Sequence, residues 1–150
     1  MTDIVRATEE HLDEVARLFD LYRQFYECQP DLDLARSYIA DRMAADESMI
    51  WVALDGDRGC GMVQCYRSFC SVEALKRWIL YDLYVEPEVR STGIGRRLMA
   101  AAHEAAWADG AKRVDLETAV DNFAGQHLYD KLGYEPTPGF LTYSLARPRE

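Results

Sequence analysis

The stretch RSTGIGRR, residues 90–97, decides how the rest of the chain reads. Two glycines sit one residue apart among three arginines, Arg90, Arg96 and Arg97. Ahead of it, RWILYDLYVEP (77–87) is apolar and aromatic, has strand length and ends at Pro87. Behind it, LMAAAHEAAWADG (98–110) sets Leu98, Met99, Ala102, Ala105 and Ala106 at helical spacing and stops at Gly110. A glycine turn between a strand and a helix makes an anion site. The first-turn amides are unpaired, the positive end of the helix dipole lies there, and glycine lets a ligand oxygen approach without a Cβ in the way. The stretch reads as a phosphate or pyrophosphate cradle, and the competing reading is a loop that only turns the chain. A triphosphate-binding loop needs Lys followed by Ser or Thr, and that is missing. A dinucleotide fingerprint needs a third glycine where Leu98 stands.

Outward from this core the chain alternates in texture. DIVRA (3–7) reads as a short strand, and Thr8 as an N-cap with Glu9 and Glu10 in the first turn. Leu12, Val15, Ala16, Phe19, Tyr22 and Phe25 or Tyr26 recur at helical spacing up to Pro30. A second helix begins near Asp31 or Asp33, with Leu34, Tyr38, Ile39 and Met43 on one side. MIWVAL (49–54) and CGMVQCYRSF (60–69) read as a hairpin about the turn DGDRG, and SVEALK (71–76) links to the strand 77–87. KRVDLETA (112–119) is a further strand, FAGQHLYDKLG (123–133) a short helix, YEPTPG a turn-rich link and FLTYSL (140–145) a last strand. The expectation is a single α/β domain over residues 1–150 with one central sheet of about six to seven strands and about four helices.

Composition bounds the function. The 150 residues are 49% hydrophobic and 29% charged, as in a soluble globular chain, with no apolar run of membrane-spanning length. The acidic start, without an apolar signal core, leads to a cytoplasmic expectation. Cys28, Cys60, Cys65 and Cys70 form no CxxC pair and read as reduced thiols, and no metal constellation is visible around His11, His103 and His127. A net charge of -9 argues against nucleic acid as a partner. The acids concentrate in the first fifty residues, 12 against 5 bases, which permits a cationic substrate there beside an anionic cofactor in the neutral middle.

Arg90-Ser91-Thr92-Gly93-Ile94-Gly95 resembles the R/Q-x-x-G-x-G/A motif of the GNAT superfamily of N-acetyltransferases. LYDLYVEPEVRSTGIGRRLMAAAHEAA (80–106) resembles that family's cofactor-binding strand, loop and helix, and AVDNFAGQHLYDKLGYEP (119–136) its following motif. The resemblance covers essentially the whole chain and implies a mixed, mostly antiparallel sheet. It implies acetyl-CoA as acyl donor and no metal. The pyrophosphate is expected on the amides of Ser91, Thr92, Gly93, Ile94 and Gly95, extending to Arg96, with Arg90 adding charge. The pantetheine arm is expected to pair with Leu83, Tyr84 and Val85, where the strand splays from 112–119, and Asn122 to contact the cofactor.

Acetyl transfer needs a neutral amine, a polarised thioester and protonation of the departing thiolate. Tyr129 occupies the family's usual position for the acid. Polyamine acetyltransferases of the family resemble the strand 77–87 but place an acid where Tyr81 stands, while Asp82 matches their second acid. Asp82 is the candidate base, and Glu117 a further one. By strand alternation Trp78, Leu80, Asp82 and Tyr84 share one face. LFDLYRQFYECQ (18–29) resembles a bacterial subgroup of polyamine and histone-type amine acetyltransferases. The expected acceptor is thus a small cationic or lysine-like amine, with Tyr22, Phe25, Tyr26, Trp51 and Trp78 as candidate pocket residues. A homodimer is expected, as is common in that family. A non-catalytic acyl-CoA-binding regulatory module is the alternative.

Overall fold

Residues 1–150 are all described in the computed structural model. They divide into two compact units, residues 1–117 and 118–150. The first holds a sheet of β1 (Thr2–Arg6), β2 (Met49–Asp55), β3 (Arg58–Cys70), β4 (Leu75–Val85) and β5 (Arg113–Leu116), in that spatial order. Its helices are α1 (Leu12–Phe25), α2 (Leu32–Ala44) and α3 (Ile94–Ala108). Strands β1 to β4 pair antiparallel, and β4 and β5 pair parallel. A parallel neighbour needs a crossover, which α3 supplies.

Local chemistry explains the boundaries. Thr8 precedes a single 3-10 turn, Glu9–His11, rather than α1 itself, and its amide donates to His11 Nδ1 at 3.0 Å. The Asp31 side chain caps α2 by accepting from the Leu34 amide. On one face of the sheet Val15, Leu18 and Phe19 of α1 and Ala35 and Ile39 of α2 pack on Ile50, Val52, Met62 and Tyr84. Each large side chain buried there contributes about 1.5–3 kcal/mol. Helix α3 buries Ile94, Leu98, Met99, Ala102 and Ala106 and packs against β2, β3 and β4.

Two ionic clusters fix the ends of β4. At the C-terminal end of β4, the buried Glu86 accepts from Arg58 at 2.7 Å and Arg17 at 3.1 Å, tying β4 to β3 and α1. Near its start, Asp109 accepts from Lys76 at 2.7 Å, Trp78 Nε1 at 2.9 Å and Arg67 at 3.1 Å, tying the end of α3 to β3 and β4.

The second unit contains α4 (Phe123–Lys131). Asn122 caps it, its Oδ1 accepting from the Gly125 amide at 3.1 Å. A Cβ on Gly125 would stand 2.6 Å from Asn122 Nδ2, so glycine lets the cap close. Residues 134–150 form no helix or strand. The sheet therefore has five strands, not six or seven, and FLTYSL is not a strand. Its alternation suits a strand, but a strand exists by pairing its amides and carbonyls. Phe140, Leu141, Tyr143 and Leu145 instead stand 89, 82, 87 and 98% exposed. The four cysteines are free thiols, and no helix is long and apolar enough to cross a membrane.

Candidate functional site

Strand β4 carries the site because it outlasts its neighbour. β5 pairs with Arg77 to Leu80 and stops at Leu116, opposite Leu80, whereas β4 runs on to Val85. Leu83, Tyr84 and Val85 are held by β3 through Val63, Met62 and Gly61, and their other edge has no strand partner. Such an edge offers unpaired backbone groups to an extended ligand. Arg90 folds back on this end, its Nε donating to the Val85 carbonyl at 2.8 Å and its guanidinium lying 5.7 Å from the centre of the Tyr84 ring.

Beyond Val85 a 3-10 turn (Pro87–Val89) leads into the glycine stretch. Ser91 has φ 65° and Gly93 φ 88°, both in the left-handed region. Gly93 adopts it without strain, whereas a side chain there is unfavourable. The Thr92 hydroxyl donates to the Val89 carbonyl and pins the loop. The first bond into α3 runs from the Arg97 amide to the Gly93 carbonyl at 3.0 Å, and no protein oxygen accepts from the amides of residues 91–96. A Cβ built on Gly93 meets nothing within 4 Å, so the approach to these donors is open. Open donors at a helix N-terminus suit a pyrophosphate. The arginines diverge: Arg97 donates to the Thr2 carbonyl at 2.9 Å, Arg90 holds Val85, and Arg96 is exposed.

On the α1/α2 face a cavity of about 500 Å³ is lined by Phe19, Tyr38, Tyr66, Ile79, Tyr81 and Asp82. Ile79 and Asp82, three residues apart, reach the same cavity because β4 is bulged. Gln64 pairs with Asp82 and the next residue, Cys65, with Leu80, which leaves Tyr81 as the inserted residue. The alternation expected through β4 therefore fails at Tyr81. Trp78 and Leu80 do not share a face with Asp82 and Tyr84, because one inserted residue inverts the side-chain parity.

Asp82 is half-buried, and its Oδ2 accepts from Gln64 Nε2 at 2.7 Å. Burial pushes its carboxyl above the ordinary range, opposed by the hydrogen bond from Gln64. No cationic side chain pairs with it. A raised carboxyl suits proton acceptance from an ammonium group. The Tyr22 hydroxyl donates to the bulged Tyr81 carbonyl at 3.1 Å, and burial and then the Asp82 charge hold it protonated. Tyr38 and Tyr66 share a 2.7 Å bond between their hydroxyls, and burial raises Tyr66 as well.

Of the aromatics expected around an acceptor, none lines the cavity. Tyr22 borders it through Tyr81, Phe25 and Tyr26 are exposed, and Trp51 and Trp78 are buried against each other with centroids 6.2 Å apart. Phe19, Tyr38, Tyr66 and Tyr81 take their place, and Gln64 acts from behind through its bond to Asp82; residues 64 and 66 on one strand share a face, which alternation gives, but nothing in the sequence sets that face against Asp82. Glu117 is exposed just past β5. Within the second unit, Tyr129 is half-buried on α4 with its ring 5.9 Å from that of Tyr134. Asn122 spends its amide on Gly125 and on Thr118 Oγ1, at 3.1 Å each. No cluster of three metal-ligating side chains occurs.

Residues 15–134 match the acetyltransferase (GNAT) family. An uncharacterised N-acetyltransferase of Bacillus subtilis, YhfO, is 38% identical over 89% of this chain and 90% of its own. A crystal structure of a probable acetyltransferase superposes with a TM-score of 0.89 at 36% identity, covering 99% of both chains. An aminoglycoside N-acetyltransferase, AAC(6')-Iy, solved with CoA, shares the fold with a TM-score of 0.84 at 18% identity, over 97% of this chain and 95% of that one.

Proposed function

The chain belongs to the GNAT family of acetyl-CoA-dependent acetyltransferases, and from that premise we propose that it acetylates a primary amine of a small cationic or lysine-like acceptor by direct transfer. The observation that carries this reading is the separation of β4 from β5 after Leu80, which leaves the Leu83–Val85 edge free in the unit that presents the open amides of residues 91–96. Acetyl-CoA supplies an activated thioester. In the proposed arrangement its pyrophosphate is held by Ser91, Thr92, Gly93, Ile94, Gly95 and Arg96, and its arm by Leu83, Tyr84 and Val85. Arg90 steadies the edge through Val85 and adds positive charge, and Asn122 contributes a polar contact, a role resting on its motif position.

Asp82 takes one proton from R–NH3+, leaving a neutral nitrogen. The N–C bond then forms as the C–S bond breaks. The departing thiolate takes the hydroxyl proton of Tyr129, whose role likewise rests on its place in the family motif, and the second nitrogen proton restores that hydroxyl. The proton on Asp82 passes to solvent. The balance is amide, free thiol and one released proton for each ammonium consumed. A homodimer is part of the proposal on family grounds, and light scattering tests it.

Mass spectrometry of products with acetyl-CoA and a panel of polyamines, amino acids, aminoglycosides and a lysine peptide tests the activity. Direct mass detection avoids thiol reagents, which the exposed Cys28 would confound. An acetylated amine is expected. Binding of acetyl-CoA without product from any amine would point instead to the non-catalytic acyl-CoA-binding module.

A further inference from the structure

The cavity beside Asp82 has one carboxylate and mostly aromatic walls, with Phe19, Tyr38, Tyr66 and Tyr81 supplying four of its six lining residues and Ile79 a fifth. The rings are fixed against one another. Tyr66 and Tyr81 meet edge to face at 5.1 Å, and Phe19 and Tyr38 stack at 5.5 Å. Part of the polar surface is engaged inside the protein. The Tyr38 and Tyr66 hydroxyls bond each other at 2.7 Å, Gln64 Nε2 bonds Asp82, and the neighbouring Tyr22 hydroxyl bonds the Tyr81 carbonyl. Behind the lining, Gln64 Oε1 is fully buried with no donor, and in the lining Asp82 Oδ1 has no protein donor. Arg42 lies 4.6 Å from the centre of the Tyr38 ring and is engaged by Glu47 at 3.0 Å.

We infer that the acceptor is a primary alkylammonium on an unbranched apolar stem, and not a polyhydroxylated amine. The inference rests on the proposed acetyl transfer at this same site. A cation is favoured by the Asp82 charge and by the ring faces, which attract positive charge. The methylenes behind it meet aromatic and aliphatic surface. A sugar-like amine carries more hydroxyls than the few groups left to bond them, chiefly Asp82 Oδ1 and one O–H of the Tyr38–Tyr66 pair, so most would exchange water for ring faces and the Ile79 side chain, which is costly. Free diamines and lysine side chains share the favoured chemistry.

The test is kcat/KM for straight-chain amines of three to six carbons, amino alcohols of matched length, a terminal diamine, a lysine peptide and a deoxystreptamine aminoglycoside. Product is read by mass. The expected result is a rise of about fourfold per methylene from three to five carbons, the factor equivalent to about 0.8 kcal/mol. A hydroxyl within the stem is expected to lower kcat/KM at least about tenfold. The diamine and peptide arms separate the two sources of the stem. Tyr66→Ala should flatten the chain-length slope with the KM for acetyl-CoA unchanged. A flat alkyl series with efficient acetylation of the aminoglycoside overturns the inference and leaves acetyl transfer standing. Bound acetyl-CoA with no alkylamine product also overturns it. Absence of acetyl-CoA binding overturns the proposed function itself.

Discussion

At the scale of the residue, the proposed chemistry turns on Asp82 and on Gln64, which bonds it. Asp82 must be ionised to accept a proton, and burial raises its carboxyl, so kcat/KM is expected to rise with pH through a limb above the ordinary carboxylate range. The Gln64 amide favours the charged form, and Gln64→Leu removes it. The limb should then move to still higher pH, while the KM for acetyl-CoA holds; a pH–rate profile of both proteins decides, and an unmoved limb would detach Gln64 from the base. Tyr129→Phe keeps the ring and removes the hydroxyl. Turnover should fall by more than about tenfold with little change in the acetyl-CoA KM, as for a group needed in the transition state. Steady-state kinetics at saturating amine settle it, and wild-type turnover would remove Tyr129 from the mechanism. Asp82 and Tyr129 were singled out from their places in motifs; Asp82 lines the cavity, and the role of Tyr129 is proposed on its motif alone. Tyr38 and Tyr66 were not legible, because each is one aromatic residue among many until packing brings them to one cavity, and Gln64 was not, because only strand register sets it against Asp82.

At the scale of the element, the loop into α3 and the far end of α3 make separate predictions. Gly93 has φ 88° with open space beyond its missing Cβ. Gly93→Val adds about 1–2 kcal/mol of backbone strain and puts a branched side chain on the approach to the free amides. Acetyl-CoA affinity measured by calorimetry should fall at least about tenfold, and an unchanged Kd would refute the cradle. At the other end, hydrogen bonds from Lys76 first and then Trp78 and Arg67 hold the Asp109 carboxyl down at about 2. A depressed acid stabilises the fold above its ordinary range, and that stability is lost as pH falls towards about 2. Asp109→Asn should cost about 1–2 kcal/mol at neutral pH, and the difference from wild type should shrink in acid. Urea unfolding at neutral and acid pH measures both. The strand and helix types of the first unit were readable from periodicity and turn chemistry. The strand at 140–145 was misjudged because alternation reports a side-chain pattern, not the presence of a partner.

At the scale of the whole molecule, the charge of -9 and its acidic first third set the long-range field. A cationic acceptor is drawn to such a surface, and salt screens the attraction beyond about 10 Å at 0.1 M. Between low salt and 0.5 M, kcat/KM for an alkylammonium should fall by about two- to fivefold. For acetyl-CoA, itself anionic, it should not fall in parallel. Stopped-flow or initial-rate measurements across ionic strength test this, and a flat response for the amine would confine recognition to the cavity.

The sequence by itself determined the family, the order of the main elements and the glycine turn into α3, because these rest on local chemistry: glycine at a left-handed turn, free amides at a helix start, apolar periodicity. Tertiary structure decided the rest. The bulge at Tyr81 is a property of how β4 registers on β3, and it alone turns Asp82 and Ile79 into one cavity. The early end of β5 opens the β4 edge. The pairing of Tyr38 with Tyr66 joins residues 28 apart in the chain. Register and closure depend on contacts distant in sequence, so no local pattern encodes them.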